Sequence, residues 1–379
     1  MNTKIALVIK TPGLEYDDRV RKEINTITKL YPNISFKIFA VLEKNIHASG
    51  ITSYGVPYES LYLPARDKYP SASHLGIKSW QFYSTVKNLL KGYDVVWVAN
   101  VDASLVTMFV RAKKLVWDLH ELPAMYLGNP IKKAILKYIF RRCDLVLHAN
   151  EERIQYLNSV GVIKNPEKHI AIRNFPNFEE EDKEFDNLYY KFVEWKGKRK
   201  CIYLQGLATD KRAAFESVDA VMNTTDFCAV VVGGFDPAAK SRLESKYGED
   251  INKRINFIGR IPQLKIPQYV KQCFTTLVFY KNVSPNNYYC EANRFYQSFI
   301  VGLPVVVGNN PTMKGLVDKY QIGVSIDSDG RDVDMIIDGI NNVVANYDTY
   351  TKNIKNCKDL FLWDTQDEIF KKIIQKLNI

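Results

Sequence analysis

Short apolar runs alternate with longer amphipathic stretches along the whole of this chain, and that alternation restricts it to an α/β architecture. Runs such as Ile5-Ala6-Leu7-Val8-Ile9 carry no polar residue at alternate positions. As strands they would be buried on both faces, which is the property of a parallel sheet covered by helices on either side. The spacing predicts strands at 4–9, 35–42, 94–99, 114–118, 144–149 and 169–172, then at 200–205, 228–233, 255–258, 275–280, 304–307 and 323–326. Between the two sets, Asn174-Phe175-Pro176-Asn177 leads into an acidic, aromatic stretch and then the basic 196–200, a shift in composition that marks a domain connection. At roughly 150 residues per domain, 379 residues suit two. The expected division is 1–175, a linker at 176–198, a second domain at 199–355, and a C-terminal helix at 356–379 that crosses back to the first domain.

The formal net charge of +10 favours anionic partners. Nucleic acid is not expected among them, because zinc-finger spacing, RNP-type aromatic motifs and long Lys/Arg runs are absent from the sequence. Six scattered cysteines without a Cys-x-x-Cys pair fit a reducing compartment, and the chain enters its first strand too directly for a secretory leader. The expectation is therefore a cytoplasmic protein, peripheral at the inner membrane face if it meets a membrane at all. The segment 129–142 sets Ile131, Ile135, Leu136, Ile139 and Phe140 on one helical face with five basic residues elsewhere. Such a helix can lie on an anionic bilayer or pack in a core with its basic face in water.

Several loops follow strands, where open α/β sheets bind ligands. After the first strand come Pro12-Gly13 and then a helical pattern from about Asp17, containing Asp18; the same loop also reads as an ordinary Asp-capped turn. The fourth strand ends in Asp118-Leu119-His120-Glu121, where a carboxylate can fix the tautomer of a histidine that bonds sugar hydroxyls or a phosphate. In the second half, Gln205-Gly206 ends a strand ahead of Lys211-Arg212 at an expected helix start, a combination suited to a diphosphate. Gly233-Gly234 offers close backbone approach at another strand end. The densest cluster places Glu291, Asn293, Arg294 and Gln297 near one helix N-terminus, followed by Gly302-Leu303-Pro304-Val305-Val306.

The order of these features resembles the GT-B glycosyltransferases, family 4 in particular, over nearly the whole chain. The correspondences are Asp18-Arg19-Val20, Asn100 with Asp102, the Asp118/His120/Glu121 cluster, Asn174, Gln205-Gly206 with Arg212, and Ala292 to Gln297 with Gly302 to Val306. The resemblance implies two Rossmann-like doubly wound domains facing a cleft, with the acceptor side in the first and the nucleotide-sugar donor on the second. It implies that Arg212 serves the diphosphate, that the helix at 293–297 serves the ribose, and that His120 reaches the transferred sugar. His120, Asp18 and Arg212 are the expected catalytic set. Gly13, Gly206, Lys211, Arg212, Gly234, Glu291, Asn293, Arg294 and Gln297 are the expected donor contacts.

A UDP- or GDP-sugar donor, a saccharide or lipid-linked acceptor in cell-surface polysaccharide synthesis, transfer with retention, and no metal or other cofactor complete that implication. The family's paired glutamates correspond here to Tyr289 and Gln297, which leaves the stereochemical course open. Against that pattern, Glu291 is the candidate for a displaced substitute. Two other readings of the same fold stand beside it: a non-catalytic homologue that supports a partner transferase, and a nucleotide-sugar epimerase.

Overall fold

The computed structural model describes residues 2–71, 73–177 and 184–379. The chain divides into two compact units, Met1–Asn174 with Asp364–Ile379, and Phe175–Trp363.

The first unit is built on an eight-stranded sheet: β1 (Thr3–Lys10), β2 (Ile34–Val41), β3 (Ala48–Ile51), β4 (Pro57–Ser60), β5 (Val95–Ala99), β6 (Lys114–Leu119), β7 (Leu145–His148) and β8 (His169–Ala171), in the order β3-β4-β2-β1-β5-β6-β7-β8. Every pairing is parallel except β3 with β4. Ile5 to Ile9 are completely buried, as the unbroken apolar run requires. The helix Asp18–Leu30 follows β1, capped by the Asp17 carboxylate, which accepts from the Val20 amide. Against this helix packs the C-terminal helix Asp367–Leu377, burying Phe370, Ile373, Ile374 and Leu377.

The second unit holds six parallel strands: β9 (Lys200–Leu207), β10 (Phe227–Phe235), β11 (Ile255–Gly259), β12 (Thr275–Val278), β13 (Val305–Val307) and β14 (Gly323–Ser325). Their order is β11-β10-β9-β12-β13-β14, so connections run outward in opposite directions from the β9/β12 pair. A ligand crevice opens at such a reversal, beyond the carboxyl ends of the two strands. Of the segment expected as a linker, 187–196 is the helix Asn187–Lys196, and its Tyr189 and Phe192 belong to the core of this unit with Tyr203 and Tyr269. Residues 178–183 lie outside the described part of the chain. The twelve strands read from the sequence are present; the hairpin of β3 and β4 was not among them.

Candidate functional site

In the second unit, the reversal point is occupied by cations. Gly206, the last residue but one of β9, has a left-handed φ of +62°, and beyond the strand the chain makes a single 3-10 turn, Asp210–Arg212. Lys211 and Arg212 thus sit in this turn rather than in a helix, because Ala213 adopts a left-handed conformation before the helix Ala214–Met222 begins. Lys281 fixes the turn: its amide donates to the Lys211 carbonyl at 2.8 Å, and its nearly buried ammonium pairs with Asp210 at 2.7 Å and Glu216 at 2.8 Å. Lys211 itself points to solvent.

Arg212 donates through Nη1 to the Gly206 carbonyl at 2.5 Å and lies over the Tyr280 ring at 5.6 Å. Arg294 approaches the same ring at 5.0 Å, donating to the Gln205 carbonyl at 3.0 Å and the Phe279 carbonyl at 3.1 Å. It therefore bridges the ends of β9 and β12. Arg294 is buried, and loss of solvation pulls its guanidinium below the usual range; Arg212 is half-exposed. Among the described residues neither has a carboxylate within ion-pair distance. A cation held out of water with only carbonyls and a ring as partners costs several kcal/mol, roughly, unless an anion arrives.

Glycines open the approach to this pair. A Cβ on Gly206 would stand 2.9 Å from Arg212 Nη1, and one on Gly233, at φ +93°, would stand 3.4 Å from the Gly206 amide. Gly234 sits at the same strand end, against Ala208. The helix Asn293–Ile300 starts after Ala292 with no side-chain cap, with Glu291 just before it, Asn293 and Arg294 as its first residues and Gln297 one turn on. Among the described residues the buried Gln297 Oε1 has no hydrogen-bond partner. Lys281 and Tyr280 were missed by sequence reasoning. Tyr280 closes a predicted strand, and nothing in its local pattern distinguishes it from a core tyrosine.

The first unit contains a separate network. Asp118, at the end of β6 and fully buried, receives Arg19 Nη2 at 2.8 Å and His120 Nε2 at 2.8 Å. The Arg19 guanidinium beside it and then His120 hold the Asp118 carboxyl well below the carboxylate range, against the opposing effect of burial. An ionised Asp118 can only accept, so His120 donates to it from Nε2, and in the neutral ring Nδ1 is left as the acceptor. Arg153 Nη1 donates to the His120 carbonyl at 2.6 Å.

Glu23, one helical turn beyond Arg19 and 3.0 Å from its Nε, is pushed well up by burial and then by Asp118. The two carboxyls are thus pushed in opposite directions, Asp118 down and Glu23 up. Asp18, expected as catalytic, is bound by Arg21 at 2.7 Å and Lys22 at 2.7 Å on its own helix, and Lys22 also reaches Asn174 at 3.2 Å. Gly13 sits in extended backbone that any residue adopts. His120 thus joins Arg19 and Glu23 through Asp118, whereas Asp18 pairs with Arg21 and Lys22 on its own helix, and among the described residues Gly13 has no bond to either group. Among the described residues no group of three or more His, Cys, Asp or Glu is arranged to hold a metal ion.

No protein-family model matches the chain, and no curated protein is detectably similar to it in sequence. Solved structures are similar over its full length. Sucrose-phosphate synthase from Thermosynechococcus elongatus superposes with a TM-score of 0.77 at 16% identity, covering 99% of both chains. Anabaena HepE in complex with UDP and glucose gives 0.73 at 13% identity, covering 98% of this chain and 99% of the other. WaaG, a glycosyltransferase involved in lipopolysaccharide biosynthesis, gives 0.65 at 12% identity, covering 97% and 99%. The chain has the GT-B glycosyltransferase fold, two parallel α/β units of the kind these enzymes share.

Proposed function

We propose that this protein is a glycosyltransferase that binds a nucleoside diphosphate sugar on its second unit and passes the sugar to a saccharide or lipid-linked acceptor. The observation that carries this reading is the Arg212/Arg294 pair on Tyr280, two guanidinium groups without a carboxylate at the reversal point of a six-stranded parallel sheet. A diphosphate supplies the missing charge. Arg212, the exposed member, donates directly to its oxygens, while buried Arg294 contributes a fixed positive field that strengthens as water is displaced. As the leaving group departs, negative charge grows on the diphosphate. The same two cations then stabilise it without any proton transfer.

His120 Nδ1, fixed as an acceptor, suits a sugar hydroxyl. A UDP-sugar is the first donor to test, since HepE is described with UDP, with UDP and glucose and with UDP-glucose. Retention at the anomeric carbon, independence of metal, a place in cell-surface polysaccharide synthesis and work at the inner face of a membrane belong to the same proposal.

Calorimetric titration with UDP, GDP, CDP, ADP and dTDP, with and without EDTA, tests it. One diphosphate binding in EDTA and failing with Arg212→Ala supports the assignment; no diphosphate binding at all would transfer the reading to a non-catalytic homologue. Conversion of the sugar nucleotide without any acceptor would identify an epimerase instead, and NMR of the product linkage reads retention directly.

A further inference from the structure

The excess of positive over negative charge in this chain is concentrated in three segments of the first unit. Residues 75–92, 104–117 and 122–143 together contain eleven Lys and Arg and no Asp or Glu, so they account for the entire net charge of +10 and leave the remainder near neutral at −1. These residues form the helices Leu75–Val86, Ser104–Phe109 and Pro130–Arg142 and their flanks, with the second helix packed against both others. Lys113 and Lys114 pair with Asp94 and Asp144 at the N-terminal ends of β5, β6 and β7. Among the described residues the other nine cations have no carboxylate partner.

The same three helices expose apolar side chains that form a connected strip. Trp80, 56% exposed, meets Phe109 edge-on at 6.0 Å, and Tyr83 contacts both. Arg142 then links the strip to the third helix, donating to the Val110 carbonyl at 2.5 Å while lying over Tyr138 at 5.9 Å. Ile131, 75% exposed, extends it. The Leu136, Ile139 and Phe140 face of that helix is buried, so the helix packs in the core and still leaves Ile131 and Tyr138 in solvent.

We propose that this three-helix face docks on an anionic lipid bilayer, with Trp80, Phe109 and Ile131 entering the interface and the surrounding lysines meeting phosphate headgroups. Exposed aromatic and aliphatic groups inside a cationic rim match a surface that is negative outside and apolar beneath. A nucleic acid would satisfy the charge and stack on the rings, but it offers nothing apolar to Ile131. The docking deepens the proposed transfer to a lipid-linked acceptor by giving it a location, and it does not depend on that transfer.

Co-sedimentation with vesicles of phosphatidylcholine, against vesicles containing about one quarter phosphatidylglycerol, tests the proposal. Binding is expected to the anionic vesicles only, at least tenfold weaker for Lys132→Glu/Lys133→Glu/Lys137→Glu, and weaker in high salt. Phe109→Ser/Ile131→Ser, which keeps Trp80 as the reporter, should still adsorb at low salt but lose most of the tryptophan quenching that brominated lipid produces in the unaltered protein. Equal sedimentation with both vesicles, indifference to charge reversal, or tighter binding to a short RNA duplex than to anionic vesicles would overturn it. Thermal melts confirm that the variants fold, and UDP titration of each separates this surface from the nucleotide site: a protein that binds vesicles and no nucleotide sinks the transferase reading alone.

Discussion

Two guanidinium groups share one phenol ring in the second unit, and their exposures give them different tasks. Arg212 can be touched by a ligand, so removing it deletes a charge-assisted contact of about 1.5–3 kcal/mol, or about 10- to 150-fold in affinity. Arg212→Ala should show that loss in diphosphate titrations with little change in melting temperature. Arg294→Met should cost both binding and stability, since the Gln205 and Phe279 carbonyls each lose a donor.

In the first unit the pH dependence of stability has two limbs of opposite origin. Glu23 is raised in the folded state above its ordinary 4.5, so the stability it contributes is complete below that pH and is lost as pH rises through the folded value. Glu23→Gln, neutral at every pH, should remove this loss, and its advantage over the unaltered protein should grow as pH is raised. His148 and His169 contact each other at 2.8 Å in the core, and burial lowers both, His148 well below its ordinary value and His169 to about 4. They favour folding above the unfolded value of 6.5, and that contribution drains away as pH falls from 6.5 towards 4 and below. Urea unfolding between pH 4 and pH 9 reads both limbs; an acid limb unaltered in His169→Phe would reject the histidine account.

At the scale of elements, the end of β9 is where backbone and site depend on each other most tightly. Gly206 occupies a left-handed conformation and lies against Arg212. Gly206→Ala therefore imposes backbone strain of about 1–3 kcal/mol and displaces the guanidinium as well. Diphosphate affinity should fall in this variant at least as far as in Arg212→Ala, and an unchanged affinity would mean that Arg212 does not act from the position seen.

The strands were legible in the sequence because a strand buried on both faces needs an unbroken apolar run, and Val95 to Ala99 or Val305 to Val307 have no other use. β3 and β4 were not, since Ala48-Ser49-Gly50-Ile51 and Pro57-Tyr58-Glu59-Ser60 form an edge hairpin with polar and Pro positions that carry no such signal. Motif spacing placed Arg212 after one strand of the second half and Arg294 at the start of a later helix. It could not show that Tyr280 lies between them, or that Glu23, which looks like the solvated partner of an i,i+4 pair, is buried beside Asp118. Those facts depend on which strands are neighbours, and the order 3-2-1-4-5-6 within the second sheet is a tertiary property.

At the scale of the molecule, the chain completes its first unit only after it has built the second. It leaves at Asn174, runs from Phe175 to Trp363, and returns with Asp364–Ile379. Gln366 secures the return by exchanging two hydrogen bonds with the Arg173 backbone, at 2.8 and 2.9 Å, and the final helix then lays Phe370 against the helix that starts at Asp18. Phe370→Ala leaves a cavity worth roughly 3–5 kcal/mol, a large part of the roughly 5–15 kcal/mol that keeps a domain folded. The damage should fall on residues more than three hundred positions earlier in the sequence. Hydrogen exchange should show faster opening of β1 and of the helix Asp18–Leu30, with the amides of β9 to β14 keeping their protection and UDP still slowing exchange near Gly206. Equal loss of protection in both sheets would mean that the two units unfold as one, and that the stability of the proposed nucleotide site depends on a helix belonging to the other unit.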